Sequence, residues 1–313
     1  MIAVLCGGVG AAKFLEGARM AFGGEEIVAV VNVGDDEIMH GLHISPDIDT
    51  VLYTLAGLVN TATGWGIADE TWRVMQRLES LGGPTWFRLG DLDLATHLYR
   101  SGRLAAGATL SEVTTELAES LGIDVKVVPV SDEPMRTHIT VVNADKSQET
   151  IGFQEYFVKR HHDCDVVAVN YHSPDDATLT LAARYALRDA RAIVIAPSNP
   201  ILSIAPMMSI GELSEVLEAR RARTFAISPI VAGNAIKGPA DRLLASLGFG
   251  ASALGVAAFY AGFARNIIID DLDAELAPEI EKMGFSVSHC NTIMDSLQAK
   301  EALGNFLRHL IDA

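Results

Sequence analysis

Short, unbroken apolar runs recur along the chain at residues 1–5, 27–31, 193–196, 224–227 and 267–269, and each ends in turn residues. A run without polar interruption predicts a parallel strand covered on both faces, because a strand with one wet face alternates. Helical patterns lie between the runs. After the first, Phe14, Leu15, Ala18, Ala21 and Phe22 recur at three- and four-residue spacing, which puts them on one helical face. This alternation predicts an α/β fold, a doubly wound and mostly parallel sheet. Such sheets bind ligands in the crevice beyond the carboxyl ends of their strands.

The middle of the chain departs from that rhythm. Helical patterns at 69–81, 95–104 and 110–121 are followed by strand-like 125–130, 138–142 and 149–153, with a turn at Asn143-Ala144-Asp145. The βαβ rhythm is expected to resume near Val166. The chain therefore reads as one domain, with a core at 1–60 and 165–313 and an α+β insertion at 61–164 capping the cleft. No repeat or linker-like stretch argues for independent domains.

Composition narrows the function classes. The chain has 313 residues, with 24 Lys+Arg against 40 Asp+Glu and a formal net charge of −16. No basic run exists from which to build a nucleic-acid-binding face, so nucleic acid is not an expected partner. Apolar residues at 49% and charged residues at 20% suit a packed core and exclude disorder. Cys6, Cys164 and Cys290 are odd in number and far apart, as cytosolic thiols are. The first apolar run lacks a basic leader, and the longest candidate membrane stretch, 251–263, is too short to cross a bilayer. A cytoplasmic protein with no membrane partner is expected.

Candidate chemistry gathers where strands end. Cys6-Gly7-Gly8-Val9-Gly10-Ala11-Ala12-Lys13 joins the first strand to the first helix. Gly8 and Gly10 let the backbone approach a phosphate, helix-start amides favour an anion, and Lys13 adds a cation. The segment is neither a Walker A loop nor a full GxGxxG fingerprint, and a tight turn alone would also account for it. Asn32-Val33-Gly34-Asp35-Asp36 ends the second strand, and Ser45-Pro46-Asp47-Ile48-Asp49-Thr50 follows it. Four carboxylates so close are costly to hold without a cation, and Mg²⁺ takes one or two carboxylates plus phosphate oxygens. Asp35 and Asp49 are the expected metal ligands, with Asp36 and Asp47 supporting them. The structural alternative makes Asp35 and Asp36 a solvated turn and Asp47 or Asp49 a helix N-cap.

Asp91 and Asp93 in Gly90-Asp91-Leu92-Asp93 precede a helix; Asp93 is expected to cap it, leaving Asp91 without a structural task. Pro197-Ser198-Asn199-Pro200 follows one strand and places Ser198 and Asn199 at its end, either as a turn or as ligand contacts. The segment 228–239 repeats that logic after the next strand, and Lys237 adds a cation. His161-His162-Asp163-Cys164-Asp165 reads as a polar loop, and Ser131-Asp132-Glu133-Pro134 as an exposed turn.

In order, the segments CGGVGAAKFL, NVGDDEIMHGLHISPDIDTVLYTLAG, WFRLGDLDLATHLYRSGRL, PVSDEPMRTHI, FQEYFV, APSNPILSI and ISPIVAGNAIKGPADRLLASLG resemble the 2-phospho-L-lactate transferase family of coenzyme F420 biosynthesis. The resemblance runs from Met1 to about Gly248 and implies a Rossmann-like sheet, Mg²⁺ as cofactor and a homodimer. It implies transfer of a phospholactyl or phosphoenolpyruvyl unit from a guanosine diphosphate-linked donor to the ribityl hydroxyl of the deazaflavin Fo, releasing GMP. By the same analogy Asp35 and the Asp49 of the SPDxDT segment are the metal-binding aspartates. The glycine turn and the loop 197–200 line the donor and acceptor cleft. The family commonly has Arg between the aspartates of GDRD, where this chain has Leu92; Arg88 or Lys237 would have to supply that cation.

The expected chemistry is in-line attack of a hydroxyl on a diphosphate phosphorus, catalysed by positioning and charge stabilisation. Asp36 or Asp49 is the expected acceptor of the hydroxyl proton. Trp65, Trp72, Trp86 and Phe87 are candidates for a flat slot that takes the acceptor ring, or for core packing. Two rivals are a UDP-sugar-binding regulator resembling the gluconeogenesis-factor family and an NAD-dependent dehydrogenase. The second fits poorly, because Lys13 stands where the third glycine belongs. Part of the net charge of −16 lies in the aspartate cluster, where bound Mg²⁺ would reverse the local field.

Overall fold

Seven strands build one wholly parallel sheet: β1 Ile2–Cys6, β2 Ile27–Val31, β3 Lys126–Pro129, β4 Ala192–Ile195, β5 Thr224–Ile227, β6 Asn266–Asp270 and β7 Ser286–Cys290. The computed structural model describes residues 1–174 and 177–313. Strand order is β7-β6-β5-β4-β1-β2-β3. Read from the β3 edge, six places have the 3-2-1-4-5-6 order of dinucleotide-binding sheets, and β7 adds one more edge. β1, β2 and β4 are buried along their whole length, which is why their runs carry no polar alternation. The expected α/β, Rossmann-like architecture is therefore present. Chain connections leave β1 and β4 towards opposite edges, so a crevice opens between their carboxyl ends.

Helix α1, Gly8–Phe22, follows β1 directly and packs against the last helix, Leu297–Asp312. Contact is close because Gly17 has no side chain: a Cβ there would lie 2.1 Å from the Lys300 carbonyl oxygen. α2, Pro46–Leu55, starts after a short hairpin, Glu37–Met39 with Leu42–Ile44. Its N-cap is Ser45, and Pro46 occupies the first turn, where a missing N–H costs nothing. Neither Asp47 nor Asp49 is the cap; both lie inside the first turn, freeing their carboxylates for other partners.

The middle segment differs from its sequence reading in two places. The run at 125–130, assigned to the insertion, forms β3 and pairs with β2 at the edge of the central sheet. The strand near Val166, expected to resume the βαβ rhythm, is Asp165–His172 and runs antiparallel beside Arg136–Val142. With Gln148–Gly152 these two make a separate three-stranded sheet. Apolar periodicity announces a strand but not its partner, so both errors concern pairing and not element type. Of the helices, α3 is Arg73–Ser80, α4 is Asp91–Ala105 and α5 is Leu110–Ser120, the last opened by a capping box of Thr109 and Glu112. Among the described residues no single helix is long and apolar enough to cross a membrane.

Candidate active site

A cleft of about 360 Å³ opens at the carboxyl ends of β1, β2, β4 and β5. Its floor includes Gly7, Gly8, Gly10 and Lys13 after β1, Asp35 after β2, and Pro197 and Asn199 after β4. α2 contributes Asp47, Asp49 and Tyr53, α4 contributes Asp93 and His97, and the loop after β5 contributes Lys237. The cleft thus lies at the point where strand order reverses, the place where such sheets bind ligands.

The glycine turn is shaped by contact as much as by conformation. Gly8 has φ 72°, and a Cβ on Gly10 would meet the Pro197 carbonyl oxygen at 2.2 Å, so only glycine lets the β1 turn lie against the β4 loop. Two of its amides already have protein acceptors. Gly7 N–H donates to Ser198 Oγ at 3.3 Å and Gly8 N–H to Asp47 Oδ1 at 2.6 Å. The sequence reading aimed these amides at phosphate; in the structure Ser198 is not part of the cleft lining, and Lys13 is the turn's charged residue in it. Asn199 lines the cleft while its side chain accepts from Ile201 and Leu202 N–H, capping a π-helical turn at Pro200–Ile204.

The acidic cluster divides into distinct roles. Asp35 is 5% exposed, and its Oδ1 has no hydrogen-bond partner among the described residues. Burial, then the charges of Asp47 and Asp36, push its carboxyl well above the usual range. Its carbonyl oxygen accepts from Gln154 Nε2 at 2.8 Å, which fixes the loop. Asp47 Oδ2 accepts from Asn32 Nδ2 at 3.0 Å; burial nevertheless raises its carboxyl to about 7. Asp36 accepts from Ser45 Oγ at 2.7 Å and sits 2.9 Å from His43 Nε2, behind the cleft lining.

Asp49 has a partner the sequence reading missed. Arg100, fully buried on α4, donates to both its carboxylate oxygens, at 3.0 Å from Nη1 to Oδ2 and closely from Nη2 to Oδ1. Arg100 Nη1 also lies 3.2 Å from His97 Nδ1. A guanidinium only donates, so His97 Nδ1 accepts and its Nε2 carries the hydrogen, 3.2 Å from Asp93 Oδ1. Tyr53 hydroxyl donates to the same Oδ1 at 2.7 Å. Asp93 was expected to cap α4; instead the cap is Gly90, and Asp93 in the first turn faces the cleft. Spacing of Asp93, His97 and Arg100 at three and four residues was the available signal for one helix face.

Asp91 lies outside the cleft lining. Its carboxylate accepts from Thr71 Oγ1 and from Arg73 and Val74 N–H at 3.2 and 3.1 Å, capping the start of α3. The task it lacked in sequence is therefore on a neighbouring helix. Leu92 is 56% exposed and also outside the lining, so the missing guanidinium leaves no gap in the cleft wall.

The cleft lining also carries basic residues. Lys13, Arg88 and Lys237 line it, and Arg88 stacks 4.6 Å from the Trp72 ring centroid. Lys237 Nζ donates to the Thr63 carbonyl; burial and the nearby Lys13 charge lower its pKa. Two cations that line one cleft and are near enough to perturb each other favour an anionic ligand. Of the aromatic candidates, Trp65 and Phe87 line the cleft, while Trp72 and Trp86 do not. Phe153 and Phe157, missed in sequence, also line it and stack at 5.5 Å with 8° between planes, as i,i+4 neighbours can. His162, in the discounted cluster, packs on Phe157 and meets Arg242; in the turn 131–134, Asp132 and Pro134 are exposed as expected, but Ser131 is buried with its hydroxyl on the Thr178 carbonyl.

Residues 2–298 match the family described as 2-phospho-L-lactate transferase CofD. The 2-phospho-L-lactate transferase of Methanosarcina acetivorans is 34% identical over 309 residues, covering 99% of this chain and 98% of that one. The phosphoenolpyruvate transferase of Kitasatospora aureofaciens is 36% identical over 301 residues, covering 95% and 94%. Among solved structures, a member of the UPF0052 family from Bacillus halodurans superposes with a TM-score of 0.61 at 18% identity, covering 100% of this chain and 98% of that one. At that identity the likeness shows a shared fold alone.

Proposed function

The chain belongs to the 2-phospho-L-lactate transferase CofD family, and from that premise we propose the reaction its cleft performs. The coarse activity follows from membership: a phosphate-transferring enzyme of coenzyme F420 biosynthesis acting on small molecules. The finer reading is transfer of a phospholactyl or phosphoenolpyruvyl unit from a guanosine diphosphate-linked acid to the ribityl hydroxyl of Fo, with GMP as leaving group. One observation carries it: a single cleft at the sheet's reversal point has a basic pair, Lys13 with Lys237, and a buried acidic cluster around Asp35.

Mg²⁺ fits the acidic cluster. Asp35 offers a buried, unpartnered oxygen among like charges, a state that a cation relieves. Asp49 fits less well, because both its oxygens are held by Arg100. Asp35 would hold the ion together with donor phosphate oxygens, and Asp49 could join only by releasing Arg100. When bound, the ion supplies charge stabilisation to the diphosphate and its leaving group. Lys13 and Lys237 bind and orient the remaining anionic oxygens. The paired faces of Phe153 and Phe157, with Trp65 and Phe87, offer apolar surface to a planar acceptor ring.

We also expect a cytoplasmic homodimer, which light scattering of the purified chain would test. A UDP-sugar-binding regulator is not favoured, since the relatives that span the chain are named as transferases. The deciding experiment incubates the protein with Fo, MgCl₂ and lactyl- or enolpyruvyl-diphosphoguanosine and identifies products by mass. Formation of F420-0 or its dehydro form is expected; no product from any donor refutes the reading.

A further inference from the structure

We propose that Asp93 is the carboxylate that accepts the proton of the attacking hydroxyl. The inference rests on the transferase reading above. It replaces the sequence-based choice of Asp36 or Asp49, and the structure gives the reason for each exclusion.

Asp49 has both oxygens on Arg100, and Asp36 stands behind the lining with Ser45 and His43 on Oδ2. Asp47 lines the cleft, yet Gly8 N–H and Asn32 Nδ2 each hold one of its oxygens. Asp35 is buried among like charges and suits a cation. Asp93 differs from all four. Its Oδ1 takes the Tyr53 hydroxyl and faces His97 Nε2, while Oδ2 has no partner among the described residues. The side chain keeps 15% of its surface open and lines the cleft.

Its surroundings suit a base that must be charged before substrate arrives. Burial pushes the Asp93 carboxyl up, but His97 and the Tyr53 hydrogen bond outweigh it and hold the group below its ordinary value. The charged and titratable groups facing it are Tyr53 from α2, His97 and Arg100 from α4, Asp49 behind Arg100, and Glu70, whose carboxylate accepts the Asp93 N–H at 2.7 Å. The first turn of α4 adds the favourable end of a helix dipole. Tyr53 fixes Oδ1, with His97 Nε2 3.2 Å away but not hydrogen-bonded to it, which leaves Oδ2 as the open acceptor, and Arg100 holds His97 through Nδ1.

The step balances simply. As the hydroxyl oxygen forms its new bond to phosphorus, its O–H bond breaks and the proton passes to Asp93 Oδ2. The phosphorus–oxygen bond to the nucleoside monophosphate breaks with its electron pair, and the proton later leaves to water. A carboxylate of low basicity suffices, because in a loose transition state the hydroxyl becomes acidic only as its bond to phosphorus forms.

The test uses the full chain with Fo, MgCl₂ and a guanosine diphosphate-linked donor, measuring kcat and the KM for Fo across pH. Asp93→Asn is expected to lower kcat by about 100-fold or more with the KM for Fo within about 3-fold. Tyr53→Phe removes a donor to the charged form, so the acid limb of kcat should move to higher pH. Asp93→Glu, folded by its melting curve, should retain part of the activity. An Asp93→Asn enzyme with kcat within about 3-fold of wild type, or a Tyr53→Phe enzyme with an unmoved acid limb, overturns the proposal alone. Wild-type protein that turns over no donor overturns the transferase reading itself, and this assignment with it.

Discussion

Replacing Arg100 by Met keeps a long unbranched side chain but leaves Asp49 buried without its counter-charge. Removing one partner of a buried ion pair costs about 3–5 kcal/mol, because the remaining charge is neither hydrated nor paired. The 313-residue chain has an unfolding entropy near 0.66 kcal/mol/K at about 2.1 cal/mol/K per residue, so the melting temperature should fall by about 5–8 °C. Thermal and urea denaturation of Arg100→Met, Asp49→Leu and the double variant forms a cycle that isolates the pair. The double variant should be more stable than the sum of the single losses by at least about 2 kcal/mol. A single-variant loss below about 1 kcal/mol, or strict additivity, would refute the claim that Arg100 neutralises Asp49 in the fold.

Four further outcomes follow from other parts of the cleft and its scaffold. Asp35 and Asp47, the latter raised to about 7, bind protons in the fold that the unfolded chain has lost at the same pH. The Asp47 contribution is full below the ordinary carboxylate range and is lost as pH rises through about 7, and Asp35 acts in the same direction, so in EDTA the melting temperature should decline from pH 5 to pH 8, less steeply in Asp35→Asn. MgCl₂ should raise the melting temperature more at pH 8 than at pH 5; an equal effect at both would count against cation binding at Asp35. Lys13→Ala and Lys237→Ala should each weaken GDP binding by about 10-fold, by calorimetric titration, and reduce its dependence on salt. Gly17→Ala puts a methyl group against the Lys300 backbone, away from the cleft, and should cost about 1–3 kcal/mol in denaturant unfolding with unchanged kcat.

Much of the site was legible because a parallel sheet converts local order into position. Residues just after an apolar run in such a sheet land at one edge, so Gly8, Gly10, Lys13, Asp35, Asn199 and Lys237 were expected together and do line one cleft. Element types in the middle segment were also legible, since periods of two and of 3.6 are local properties.

Partnership was not legible. Whether the run at 125–130 extends the central sheet depends on edge hydrogen bonds of β2, and nothing in its own residues encodes that neighbour. The carboxylates show the same division. Sequence alone determined that four aspartates would crowd a strand end and need compensation. Only the tertiary structure decided how each is compensated: Asp36 by Ser45 and His43, Asp47 by the Gly8 amide and Asn32, Asp49 by Arg100, and Asp35 by no protein donor to Oδ1 among the described residues. The physical reason is that a carboxylate's charge state and availability depend on donors and burial that arrive from distant parts of the chain, whereas its presence at a strand end is written locally.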